Sequence, residues 1–207
     1  MFFTTLTFSQ STDFDNYRIL EVGSISIPNN MEIQSGNYKK ISEIYQKEIS
    51  KKFGYEVSDN RVVFQQKGVN DLDKQALATY VRVILETDIG NFGDYEKLST
   101  KLIATPQEIS DISKEYKTQM QQSFAGTGMQ LITWYGVSIV TINGRTALKI
   151  SYLRQLNDKP FVVVNMYRFQ NNDRLHTLTL SYRQSDEATW KPLLTKIANS
   201  FIITNMR

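Results

Sequence analysis

Cysteine is absent from the 207 residues of this chain. That removes disulfides, thiolate metal sites and cysteine nucleophiles together, without fixing the compartment. Histidine is nearly absent as well, and His176 stands alone. A metal centre built from several histidines is excluded, and any serine–histidine–carboxylate triad has to use this one ring. The 4 prolines and 10 glycines are scattered, with no linker rich in Pro, Gly or Ser and no internal repeat. No stretch reaches the roughly 18 to 20 apolar residues that cross a bilayer as a helix, so no transmembrane segment is expected. A dominant charge is missing too: 24 basic against 21 acidic residues leave a formal net charge of +3. A nucleic-acid partner is not expected, because it needs a basic stripe that neutralises several phosphates at once. The nearest candidate, Lys47, Lys51 and Lys52, is interleaved with Glu43 and Glu48 and reads as the solvated face of a helix.

What is present suits a folded domain. The sequence is 41% hydrophobic, with 11 Phe, 11 Tyr and 2 Trp, enough for a core of ordinary size. Residues 1–10 read MFFTTLTFSQ, apolar and uncharged, and end near Ser9 and Ser11. They resemble the back half of a secretory signal peptide, although Phe, Thr and Leu also suit a strand. We take 1–11 as a candidate signal-peptide remnant and 12–207 as a single α+β domain. The mature protein is then expected outside the cytoplasm, periplasmic or extracellular, with a cytoplasmic location still open.

Periodicity predicts the elements. Ile19 to Ile27 alternates as a strand, and Pro28-Asn29-Asn30 turns it. Tyr38, Ile41, Tyr45, Ile49 and Phe53 recur at helical spacing, with Gly54 as the stop. Arg61 to Gln65 reads as a short strand and Gly68 to Lys74 as a loop. Thr79 to Thr87 reads as a strand with Val81, Val83 and Leu85 on one face. Asp88 to Asp94 should be irregular. Thr105, Pro106 and Glu108 form a capping box with proline at the first helical position. The stripe Ile109, Ile112, Tyr116, Met120 and Phe124 follows, and Gly126 and Gly128 end it.

The last third predicts an antiparallel meander. Its strands are Leu131 to Ile142, Arg145 to Leu156, Phe161 to Phe169 and Leu175 to Arg183. They turn at Asn143-Gly144, Asn157-Asp158 and Asn171-Asn172-Asp173. Ser185 or Asp186 should then cap a helix whose stripe is Trp190, Leu193, Leu194, Ile197, Ala198 and Phe201. The expected architecture is α+β, an antiparallel meander sheet packed between or against helices.

The opening Ile25-Ser26-Ile27-Pro28, the later meander, and the closing Trp190 with Ile197-Ala198-Asn199-Ser200-Phe201 resemble the PsbP-like family. The sequence departs from its pattern at Met31, where an aromatic often follows the turn, and in the long helix around Tyr38 to Phe53. The resemblance implies an α/β/α sandwich that binds rather than catalyses. The family's plant member is an extrinsic subunit of photosystem II, a related nuclear protein binds the small GTPase Ran, and many bacterial relatives are exported without assigned activity. No catalytic motif is shared, so the resemblance assigns no site residue.

Chemistry-bearing patterns are sparse. His176 shares a strand face with Leu178, Leu180 and Tyr182, which reads as a packed or edge-of-sheet histidine. Ser151 and Ser181 lie outside any Gly-x-Ser-x-Gly turn. Asp71 and Asp73 lack the glycine and closing glutamate of a calcium loop. Asp88, Asp94 and Glu96 flank a glycine-containing loop, where carboxylates are usually just solvated. Gly90-Asn91-Phe92-Gly93 and Gly126-Thr127-Gly128 are too short for phosphate loops. No catalytic residue, cofactor or metal is therefore assigned. Aromatic and arginine side chains on the meander are the remaining feature, since Tyr, Trp and Arg dominate binding hot spots. We take Trp134, Tyr152, Tyr167, Arg168, His176 and Arg183 as the candidate binding surface. The favoured function is a non-catalytic binding or accessory domain that contacts another protein. A small-molecule carrier with an apolar pocket between sheet and helices comes second, and an enzyme third. A homodimer through the same surface stays open.

Overall fold

The computed structural model describes residues 12–36, 38–40, 43, 61–98 and 103–207. Residues 1–11, most of the helix expected over 38–53 with its stop Gly54, and the cluster Lys47, Lys51 and Lys52 lie outside the described residues; residues 38–40 and Glu43 are helical.

The chain begins with a hairpin. Strands β1 (Phe14–Ile19) and β2 (Gly23–Pro28) pair antiparallel, from Phe14 opposite Pro28 to Ile19 opposite Gly23. The single strand expected from Ile19 to Ile27 is thus corrected to a turn followed by a strand. The reason is Glu21, which takes a left-handed φ of 59° without Gly or Asn to signal it. A short strand β3 (Met31–Ile33) follows the Pro28-Asn29-Asn30 turn, and β4 (Arg61–Gln66) pairs with it. The expected loop closes in one helical turn, α1 (Lys74–Leu77), capped by the Asp73 carboxylate, which accepts from the backbone of Gln75 and Ala76. Strand β5 (Val81–Ile89) runs two residues past its expected end.

Helix α2 (Pro106–Phe124) starts where the capping box predicts. Glu108 N donates to Thr105 Oγ1 at 3.2 Å, and Thr105 N donates to Glu108 Oε2 at 2.6 Å. The meander then appears as β6 (Met129–Ile142), β7 (Arg145–Leu156), β8 (Val162–Asn171) and β9 (Arg174–Arg183). Its turns place Asn143, Asn157 and Asn172 at positive φ, the conformation asparagine tolerates best after glycine. Helix α3 (Glu187–Ser200) follows a 3-10 turn at Gln184–Asp186, and β10 (Ile202–Ile203) closes the chain. Asp186 occupies the N-cap but makes no side-chain cap bond; its Oδ1 accepts from Ser185 Oγ at 2.9 Å instead.

The described residues form two antiparallel sheets. The larger has seven strands in the order β3-β4-β5-β9-β8-β7-β6, and the smaller has the order β1-β2-β10. The meander is sequential, but β9 then pairs with β5, which joins the two halves of the chain. Strand alternation splits the large sheet into two buried faces. On one, Val83, Leu85, Leu178, Leu180 and Val163 meet the α3 stripe, where Trp190, Leu194, Ile197 and Ala198 are buried. The small sheet shares this core through Ile25 and Ile27, and Tyr17 packs edge-on against Phe64 with centroids 5.0 Å apart. On the other face, α2 lays Tyr116, Met120 and Phe124 over Ile150, Tyr152 and Val164. No residue of α2 is fully buried, so this helix covers its end of the sheet from outside. The arrangement is an α/β/α sandwich.

Candidate functional site

The face under α2 carries a second feature beyond the reach of that helix. Strand register sets it up. Arg154 near the end of β7 pairs with Val162 at the start of β8, and Val162 pairs with Arg183 at the end of β9. Arg183 N bonds back to the Tyr80 carbonyl at 2.9 Å, and Arg82 pairs with Ser181. Residues directly opposite across antiparallel strands point to the same face. The side chains of Tyr80, Arg82, Arg154 and Arg183 therefore gather at one end of the sheet. Tyr38 and Lys159 complete the polar wall of a cleft of about 230 Å³. Leu77, Leu156, Pro160 and Val162 form its apolar wall.

The geometry is cationic and aromatic. The Arg82 guanidinium lies 5.5 Å from the Tyr38 ring centroid and 5.3 Å from that of Tyr80. It donates to Tyr38 OH at 2.7 Å and to the Val81 carbonyl at 3.0 Å. Arg154 lies 5.9 Å from the Tyr80 centroid and donates to Tyr80 OH at 3.1 Å and to Met129 Sδ at 3.0 Å. Arg183 donates to the Ala78 carbonyl, while its buried Nε finds no acceptor among the described residues. None of these arginines meets a carboxylate among the described residues, and no lining residue is acidic. Elsewhere Arg61 lies 3.2 Å from Glu86 and Arg174 lies 3.0 Å from Glu21.

Tyr80 registers this charge. Burial alone would raise its phenol, but Arg154, the Ser181 hydroxyl and Arg82 outweigh it and hold the group below its ordinary value. A shallower depression of about 320 Å³ at the end of α2, lined by Phe124, Gly126, Gly128, Met129 and Leu131 among others, holds no charged side chain. No group of three or more His, Cys, Asp or Glu residues that could hold a metal occurs among the described residues.

The residues singled out from sequence fall in different places. Trp134 stacks on Tyr152, with centroids 6.2 Å apart and an interplanar angle of 16°, and its Nε1 donates to Ser113 Oγ of α2 at 3.0 Å. Tyr152 is buried, and burial pushes its phenol up to about 12. Arg168 donates to Tyr116 OH of α2 and lies 5.4 Å from that ring's centroid. These three sit beneath α2. Tyr167 and His176 point to the opposite face; Lys149 Nζ lies 5.8 Å from the Tyr167 centroid, and His176 is fully buried. Of the six, only Arg183 lines the cleft. Tyr80, Arg82 and Lys159 carry no signal in the sequence, and Tyr38 reads there only as the first apolar position of a helical stripe. An arginine on the outward face of a strand reads as solvated, and only the pairing of β5 with β9 brings Arg82 to Arg183.

The fold defines the class: a PsbP-like α+β sandwich. The solution structure of cyanobacterial PsbP (CyanoP) from Synechocystis sp. PCC 6803 is similar over 97% of this chain and 98% of that one, with a TM-score of 0.51 at 14% identity. At that identity the likeness speaks for the fold alone. The crystal structure of a protein of unknown function from Pseudomonas aeruginosa aligns over 91% of this chain and 96% of that one, at a TM-score of 0.40 and 11% identity, too distant to add to the assignment. No family model matches the chain, and no curated protein matches it by sequence.

Proposed function

We propose that this chain is a non-catalytic binding domain, acting outside the cytoplasm, that contacts another protein through the cationic cleft. The supporting observation is the convergence of Arg82, Arg154, Arg183 and Lys159 on one cleft with no carboxylate among its described lining. Partly buried guanidiniums without counter-charges are costly to hold, and an incoming anion relieves that cost. Arginine and tyrosine are also the residues that carry most energy in protein interfaces. The cleft's 230 Å³ is below the roughly 300 Å³ at which pockets begin to enclose a whole small ligand. It suits one side chain of a partner better than a carried molecule. The exposed Leu77 and Leu156 at its rim extend the contact. An acid–base role for His176 is disfavoured, because the ring is sealed and bonded at both nitrogens. The export part of this proposal is carried only by the reading of residues 1–11 as a candidate signal-peptide remnant.

A photoreactive amino acid in place of Leu77, in the native host at natural expression, tests the reading. A discrete adduct that disappears when Arg82→Gln and Arg154→Gln are added is the expected result. An adduct only from a control position such as Leu20, on the small-sheet hairpin, would discard the cleft as the contact. Cell fractionation tests export, and recovery with the cytoplasmic fraction would remove that part of the proposal.

A further inference from the structure

From the donors that find no acceptor among the described residues of the cleft, we infer that it is a receptor for a single carboxylate carried on an apolar or aromatic body. The inference rests on the binding role proposed above. A guanidinium carries more N–H donors than the acceptors found here. Arg82 reaches one carbonyl and one phenol, Arg154 one phenol and one thioether, and Arg183 one carbonyl. All of these acceptors are neutral. The Arg183 Nε–H is buried without any acceptor among the described residues. Such donors match the two oxygens of a carboxylate, which guanidinium groups bind in a planar fork.

The other half of the cleft decides against phosphate. Leu77, Leu156, Pro160 and Val162 stand beside the arginines. An inorganic phosphate is hydrated on every oxygen and gains nothing from that wall. A carboxylate with a hydrocarbon or aromatic body uses both halves, placing its charge among the guanidiniums and its body on the leucines. The volume of about 230 Å³ admits one such group. This chemistry is found in an acidic or terminal residue of a partner chain, the source favoured above, and also in a free aromatic acid.

The Arg183 Nε–H resonance in 15N-labelled protein, assigned by its loss in Arg183→Gln, reports on the cleft that this side chain lines. Benzoate, its neutral isostere benzamide, inorganic phosphate and the capped dipeptide acetyl-Phe-Glu-amide are titrated separately. We expect benzoate to shift the resonance, and benzamide and phosphate to leave it in place at equal concentration. Arg154→Gln should weaken benzoate about tenfold or more, the effect of losing a charged hydrogen bond. Arg168→Gln, which alters an arginine under α2 outside the cleft, should leave the affinity unchanged. An unchanged thermal midpoint shows that each variant is folded. Tighter binding of the dipeptide points to a protein as the source of the carboxylate, and tighter benzoate to a free acid; either supports the receptor. A shift by phosphate alone, an equal shift by benzamide, or no shift by any probe overturns it. None of those three results touches the cross-link from position 77, which judges the protein-contact reading separately.

Discussion

His176 and Asn171 meet in the interior, where the histidine Nε2 lies 3.2 Å from the Asn171 side-chain nitrogen. The Asn171 amide is oriented by the end of the chain, since its Oδ1 accepts from Arg207 N at 3.0 Å and its Nδ2 donates to the Asn205 carbonyl at 2.8 Å. Nε2 is therefore the acceptor, and the ring proton sits on Nδ1, 3.0 Å from Thr87 Oγ1. The imidazole is held neutral, and the C-terminal segment is tied to it through Asn171.

This arrangement makes stability depend on pH. Burial first, and then the Arg174 charge, lower the His176 pKa to about 4 against only a partial opposing pull from Asp173. The unfolded chain takes up the proton near pH 6.5, and the folded chain resists it. The contribution is complete above the unfolded value and is lost as pH falls from there toward about 4, on the order of 3 kcal/mol in all. Urea denaturation at pH 7 and pH 4.5 should show a drop that is smaller by about 2 to 3 kcal/mol in His176→Gln. Equal drops in the two proteins would refute the assignment.

Asn143 has two separable roles. It takes φ 46° beside Gly144 in the β6–β7 turn, and its Nδ2 donates to the carbonyls of Asn199 and Phe201 at 2.6 and 2.8 Å. Asn143→Gly keeps the turn and loses those bonds to the end of α3, at a cost of about 1 to 2 kcal/mol. Asn143→Ala adds backbone strain of roughly 1 kcal/mol. Chemical denaturation should rank wild type above the glycine variant and that above the alanine variant. Equal stability of the wild type and the glycine variant would show that the bonds to α3 contribute nothing.

Gly23 is needed for space. A Cβ there would lie 1.8 Å from the Ile202 carbonyl oxygen, which belongs to the strand that pairs with β2 at this point. Gly23→Ala should push β10 off and cost on the order of 3 kcal/mol, in the range of overpacked core sites. A thermal midpoint within a degree or two of wild type would mean that β10 does not hold the small sheet.

The cleft should trade stability for binding. Arg154→Met replaces a half-buried cation by an apolar chain of similar length, and Tyr80 OH still has Ser181 Oγ at 3.5 Å. The variant is expected to be as stable as wild type or more so, by up to about 1 kcal/mol, while losing the adduct from position 77. A loss of more than about 1 kcal/mol would make Arg154 a structural residue instead.

Local patterns carried much of this fold. The capping box at Thr105 and Glu108, the Asn143-Gly144 turn and the stripe from Trp190 to Phe201 are all interactions within a few residues along the chain. Their hydrogen bonds and periodicity act over one or two turns, so the amino-acid order alone determines the meander and the two flanking helices. The hairpin at Glu21 escaped, because a glutamate forced to positive φ leaves no mark in composition. What only the tertiary structure decided is which distant residues meet. His176 reads as an ordinary strand position until Asn171 and the chain terminus close on it. Arg82, Arg154 and Arg183 lie on three separate strands, and no spacing relates them. Pairing β5 with β9 spends the loop entropy of closing the middle of the chain, and that one long-range register brings their charges into a single cleft.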